Sequence, residues 1–247
     1  MNGHLKSLRA VFRREMLAYA TTPTAYVFVA VFLLAIGMFT FQVGRFFDLG
    51  RADLSAFFAF VPWLFMVFLP AVAMRLWAEE NQDGGIEVLL TLPVPTWALA
   101  LGKFLAAWAV AGVALALTFP LWITVNLLGH PDNGAILVAY FAAFLMAGAY
   151  IAIGAAVSAT TETQVVAFVI SVLISFLFTA SGLTLVLNFL HGFGADAADA
   201  IAKFSILYHF EAATRGVLEF RSLFYFLSLI GLALGCTVLA IDSRRGG

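Results

Sequence analysis

Residues 74–103 read MRLWAEENQDGGIEVLLTLPVPTWALALGK. Arg75 and the acids Glu79, Glu80, Asp83 and Glu87 open this stretch; an apolar patch over 86–92 follows, closed by the breaker Pro93-Val94-Pro95. It is the only long polar interruption in the first half of a very apolar chain, and apolar runs flank it on both sides. It therefore lies at a membrane surface between two spans. The pattern predicts a short amphipathic helix along the bilayer face, presented to a soluble partner. Taken alone, the acids read equally well as a solvated loop; the amphipathic, proline-closed context favours a docking helix.

The composition agrees. The chain has 247 residues, of which 63% are hydrophobic and 11% charged. A soluble domain carries about 45–50% apolar and about 25% charged residues. Mean hydropathy is +1.02, as expected of an integral membrane protein. The net charge of −1 gives no pull toward nucleic acid. The single cysteine, Cys236, lies in an apolar run and reads as a packed, inert thiol. No repeat, low-complexity segment or stretch long enough for a soluble domain is present, so 1–247 reads as one membrane domain.

Residues 1–24 are basic, with Lys6, Arg9, Arg13 and Arg14 against Glu15. Leu5, Leu8, Val11, Phe12, Met16 and Leu17 fall at helical spacing between them, which predicts an amphipathic interfacial helix. A cleaved signal peptide fits poorly, because the basic region is long and the apolar run after it is span-length. Crossing a bilayer takes about 20 helical residues. Runs of that order lie at 25–43, 56–73, 97–125, 135–157, 165–187 and 222–240, so the expected fold is all-α with six transmembrane helices. The third run is overlong, which predicts tilt or a kink at Pro120. Gly148, Ala152 and Ala156 recur at four residues in the fourth run, a face that admits a close helix neighbour. Residues 188–221 are too polar to span and too apolar for a free loop, and predict interfacial or re-entrant helices. There Glu211, Arg215 and Glu219 are spaced for two salt pairs on one helix face.

Six spans place both termini on one side. Taking that side as cytoplasmic puts eight basic residues inside: Lys6, Arg9, Arg13, Arg14, Arg75, Lys103, Arg244 and Arg245. Five lie outside: Arg45, Arg51, Lys203, Arg215 and Arg221. The excess favours cytoplasmic termini and a cytoplasmic 75–96 stretch, with 188–221 facing outside.

Catalytic and energy-coupling signatures are missing from the sequence. The histidines His4, His130, His191 and His209 lie in or beside loops, without HExxH, GxSxG or metal-ligand spacing. There is no GxxxxGK[ST] nucleotide loop. The span interiors hold essentially no ionisable residue, which argues against a proton or ion relay.

Two segments carry a family resemblance. Glu79-Glu80-Asn81-Gln82-Asp83-Gly84-Gly85-Ile86-Glu87-Val88-Leu89-Leu90-Thr91-Leu92-Pro93, followed by Gly102-Lys103, resembles the acidic–glycine–proline pattern between the second and third spans of ABC-2 type permeases, with Gly85 where Thr is common. Tyr208-His209-Phe210-Glu211 with Arg215-Gly216-Val217-Leu218 is similar to the gliding-motility-type subgroup. The resemblance implies a type V ABC exporter-like permease in a bacterial inner membrane, with no catalytic, cofactor or metal site of its own. ATP and Mg would belong to a separate cytoplasmic ABC ATPase subunit, and a second permease, identical or related, would complete the pathway among membrane lipids. It implies ATPase coupling through Glu79, Glu80, Asp83, Glu87, Leu89 and Leu90. It also implies a connecting helix bearing Arg9, Arg13 and Arg14, and an external gate with His209, Glu211 and Arg215.

Two other classes remain as expectations: a scaffold that binds a soluble partner but moves nothing, and a lipid-modifying enzyme using His209 and Glu211. The second needs those side chains together, yet two residues on a helix differ by about 200°.

Overall fold

The computed structural model describes residues 2–47, 52–82, 94–191, 200–217 and 219–245. Their regular structure is all helical, with no strand among the described residues. The elements are α1 (Asn2–Thr21), α2 (Pro23–Met38), α3 (Ser55–Ala73), α4 (Ala78–Gln82), α5 (Thr96–Ala116), α6 (Phe119–Leu128), α7 (Asn133–Thr160), α8 (Gln164–Ala180), α9 (Thr184–His191), α10 (Ile206–Thr214) and α11 (Phe220–Arg245). A π turn, Phe39–Val43, prolongs α2 to the end expected for the first span.

Among the described residues, five stretches are long and apolar enough to cross a membrane: Ala25–Val43, Ser55–Gln82, Thr96–Leu128, Asn133–Thr160 and Phe220–Ser243. The sequence-expected span at 165–187 is interrupted. α8 stops at Ala180 after 17 residues, a rise of about 25 Å. Here Gly182 meets Ser205, whose hydroxyl caps α10 by accepting from the Tyr208 N–H at 3.4 Å. The overlong third run is resolved by a break. α5 ends at Ala116, and α6 restarts with Pro120 in its first turn, where a missing N–H is harmless. The Thr118 hydroxyl donates to the Leu115 carbonyl at 2.6 Å and lies 2.9 Å from the Tyr140 hydroxyl, filling the gap. α3 runs unbroken through Pro62 and Pro70, both buried.

α7 is the centre. Of its most apolar window 72% is buried, against 17% for Ala25–Val43, and it packs on α3, α5, α8, α10 and α11. Asp132 starts it by accepting from the N–H groups of Gly134 and Ala135 at 2.9 and 3.1 Å. Small residues let five neighbours approach, on more faces than the Gly148–Ala152–Ala156 pattern suggests. A Cβ at Gly148 would stand 2.9 Å from both Trp108 on α5 and Ile230 on α11. One at Gly154 would stand 2.5 Å from the Ala73 Cβ on α3. α1 lies against α5 through half-buried Leu8, Val11, Phe12, Met16 and Tyr19. Gly102 admits it, since a Cβ there would stand 2.7 Å from Val11 Cγ1.

Two local expectations are corrected. α10 ends at Thr214 and Gly216 turns the chain at φ +81°, so Arg215 and Glu219 do not share a helix face with Glu211. Cys236 is exposed on α11, on the surface of the bundle rather than packed inside it.

Gly154→Val should lower the thermal midpoint of the detergent-solubilised protein, by about 1–3 kcal/mol of overpacking. Gly231→Val, with nothing within 4 Å of its Cβ position, should leave it nearly unchanged. Equal effects would refute the close α3–α7 contact.

Candidate functional site

The start of the acidic stretch is built into the bundle by buried polar bonds. α3 ends in a turn over 74–77 before α4, which leaves backbone groups without helical partners. The Ser158 hydroxyl on α7 supplies them. It accepts from the N–H groups of Trp77 and Ala78 at 3.0 and 2.9 Å and donates to the Met74 carbonyl at 2.8 Å. That uses the full capacity of a hydroxyl. The Asn81 amide donates to the Thr161 carbonyl at 2.7 Å and the Ser158 carbonyl at 3.4 Å.

Lys103 supplies the second tie. It is 3% exposed. Its ammonium donates to Glu80 Oε1 at 2.6 Å and to the Leu76 carbonyl at 2.7 Å, and lies 4.7 Å from the ring centroid of buried Trp77. A desolvated ammonium needs such a shell of carboxylate, carbonyl and aromatic face. Adjacent Gly102 receives α1, so the Gly102-Lys103 pair joins α5 to two different neighbours.

The outer ionic layer is weaker. Arg75 binds Glu79 through two bonds of 3.0 and 3.1 Å at a partly exposed position, worth up to about 1 kcal/mol. Arg14 stands 3.9 Å from both Glu15 and Glu80. Burial first, and then the charge of Glu15, push the Tyr19 phenol above its usual range, so it stays protonated. Thr96 donates to Asp242 at 2.6 Å, bringing the end of α11 to the same end of the bundle.

Of the residues expected to couple to an ATPase, Glu79 and Glu80 are in this cluster. Asp83, Glu87, Leu89 and Leu90, where the docking helix is expected, lie outside the described residues. Arg9 and Arg13 are exposed on α1, and Arg14 reaches the cluster. Ser158, Trp77 and Tyr19 have no role in the sequence reading; Asn81 and Lys103 enter it only within the family pattern and, for Lys103, as a cytoplasmic charge. Lys103 had a signal, a lysine seven residues inside an apolar run; Ser158, at the end of the small-residue run, had almost none.

The expected gate residues divide. His209 is 1% exposed and stacks on Tyr225 at 4.2 Å between ring centroids. Its Nε2 donates to the Lys203 carbonyl at 3.0 Å, which fixes the tautomer, and its Nδ1 accepts from the Ser222 hydroxyl at 3.0 Å. Glu211 and Arg215 are exposed and line a cavity of about 570 Å³ with Asp53, Trp63 and Asp132. His209 and Glu211 thus do not meet, and the acid–base pair required of a lipid-modifying enzyme is not formed.

A bundle of long apolar helices, carrying at one end a braced acidic segment, matches one known family over most of its length. The sequence profile of the ABC-2 family transporter proteins matches residues 50–241. The chain belongs to the ABC-2 transporter family. Comparison with curated proteins gives no significant match. It is a multi-pass membrane protein and a permease component of an ABC transporter. Family membership implies association with an ATPase subunit.

Lys103→Met should destabilise the permease by roughly 3 kcal/mol, because it strands the Glu80 carboxylate. Adding Glu80→Gln should recover much of the loss. A double-mutant cycle on thermal midpoints checks this; additive effects would mean the pair is not coupled.

Burial lowers the His209 pKa, opposed by its bond to the Lys203 carbonyl; Arg221 lowers it further and Glu219 raises it. Neutral His209 therefore stabilises the fold fully above the unfolded-state value of about 6.5. That contribution is lost as pH falls through 6.5 toward the lower folded value. The thermal midpoint should drop as pH falls below about 6.5, and the drop should shrink in His209→Gln. An identical slope in the variant would assign the effect to other groups.

Proposed function

We propose that this chain is the pathway-forming subunit of an ATP-driven exporter and that residues 75–96 seat in a cytoplasmic ABC ATPase. The observation that carries the reading is the braced start of that stretch. Ser158 and Lys103 tie residues 74–82 to α7 and α5, so a force applied at the acidic segment has a rigid path into the bundle. A solvated loop needs no such anchorage.

In this reading Glu79, Glu80, Asp83 and Glu87 supply charge to the ATPase groove, and Leu89 and Leu90 supply apolar contact. α1 is an amphipathic connecting helix beside it, with Arg9, Arg13 and Arg14 toward the interface. α8, extended by α9, makes the sixth crossing, which puts both termini in the cytoplasm of a bacterial cell. Residues 188–221 form the external gate, where α10 is held by His209 while Glu211 and Arg215 face the outer cavity. The chain hydrolyses nothing and holds no cofactor; ATP and Mg belong to the partner. A second permease, identical or related, completes the pathway. The Tyr208–Glu211 and Arg215–Leu218 segments support the gliding-motility-type subgroup.

Replacing Glu87 and Leu90 together should abolish co-purification of the ATPase from native membranes in mild detergent, with helical content and thermal midpoint retained. A double variant that keeps its ATPase and transports normally would overturn the docking site. A wild-type chain that elutes intact but alone would favour the scaffold.

A further inference from the structure

The ionic end of the bundle encloses a cavity of about 300 Å³ among α1, α2, the end of α3, α4 and α5. That is at the lower end of small-molecule sites, about 300–1,000 Å³. Arg14, Arg75 and Lys103 line it with Glu15, Glu79 and Glu80, so its formal charges cancel. Phe28, Val72 and Val110 line its inner side. The same three residues begin a narrow apolar groove that continues between α2, α3 and α5 past Phe32, Phe65 and Ala114. One wall thus grades from charged to purely apolar along the spans, in the direction from the polar end of the bundle into its hydrocarbon-facing part.

Three polar groups in this cavity lack a hydrogen-bond partner among the described residues: Glu80 Oε2, which is buried, the Glu15 carboxylate and the Tyr19 hydroxyl. Arg75 and Lys103 spend their charges on Glu79 and Glu80 at hydrogen-bond distance. The Glu15 side chain is only 14% exposed, yet among the described residues its one ion-pair partner is Arg14 at 3.9 Å, too long for a hydrogen bond. Tyr19 lines the same cavity, and among the described residues its hydroxyl has no hydrogen-bond partner. A mostly buried carboxylate without a donor calls for a cation that carries N–H groups. Arg14, 61% exposed and held among the described residues only by the two 3.9 Å contacts, offers an anion partner on the same helix.

The geometry points to a resident phospholipid with a primary-ammonium headgroup, phosphatidylethanolamine in chemistry: ammonium on Glu15 and the Tyr19 oxygen, phosphate on Arg14, one acyl chain along the groove from Val110 to Ala114. Cancelled charge disfavours a purely anionic headgroup. A trimethylated ammonium fits the charge but has no N–H to donate. The lipid fills the space between α1 and the spans, and so holds the basic helix against the bundle. The site requires only that the chain be a membrane protein; it does not depend on ATPase docking.

The full chain, delipidated in mild detergent, is incubated with an equimolar mixture of phosphatidylethanolamine, phosphatidylcholine and phosphatidylglycerol, and retained lipid is read by native mass spectrometry. The ethanolamine lipid should be retained over the other two by about tenfold, the worth of one charge-assisted hydrogen bond. Glu15→Gln should erase the preference over phosphatidylcholine, and Val110→Trp, which fills the groove, should cut retention of all three. Equal retention by the wild type, a preference for the glycerol headgroup, or a preference unchanged in Glu15→Gln would overturn the site. Glu15→Gln removes no hydrogen bond within the described residues, so its readout does not hinge on folding.

Discussion

The near end of this permease depends on one buried cation. An ammonium 3% exposed is tolerable only with its charge balanced and its donors used. Lys103 meets both demands by reaching the Leu76 carbonyl and the Glu80 carboxylate, with Trp77 covering one side. The consequence is geometric. The end of α3 and the start of α5 are held at the length of a lysine side chain, and Thr96 is fixed to Asp242 on α11. The described residues on either side of the acidic segment are thereby held at set points.

Ser158 makes the same junction from the other side. A single hydroxyl satisfies three backbone groups of a helix end, so the turn over 74–77 survives burial without a helical ladder. It sits on α7, the helix that touches most of the others because its glycines and alanines let them close in. The polar brace and the close-packed core therefore share one element. Strain entering through residues 74–82 falls first on the least compliant part of the molecule.

Much of this was legible in the sequence and some was not, for identifiable reasons. Apolar run length found five long helices, because hydrocarbon thickness imposes a length on any crossing segment. It overran at 165–187, since hydropathy does not register that Gly182 faces Ser205 and ends the helix there. The four-residue recurrence on α7 marked one close face, whereas Gly154 lies off that stripe and its α3 contact follows from tertiary packing. Glu79 and Glu80 stood out as acids in an apolar chain. The bonds that brace the segment around them did not, because a hydroxyl at position 158 and a backbone carbonyl at 76 leave no trace in charge pattern. The 200° argument against a His209–Glu211 pair needed only helix geometry, and the two residues do face apart.

The two ends of the bundle are held by different chemistry, and this matters for movement. At the α4 end, ionic and hydrogen bonds join α1, α4, α5, α7 and α11. At the other end α10 is held by neutral bonds and a ring stack: His209 to Ser222 and Lys203, and Tyr225 to the Phe204 carbonyl. Neutral hydrogen bonds are individually weaker than charge-assisted ones, and Gly216 beside α10 allows its exit to swing. A bundle that is stiff where it would be pushed and lightly fastened where it would open does not need hinges inside its spans. On the coupling reading, α7 carries the displacement past Gly148 and Ile230 to α11, and Ser222 on α11 is the residue that holds His209. The contacts that seat α10 are then the ones the displacement reaches last, and the ones it breaks most easily.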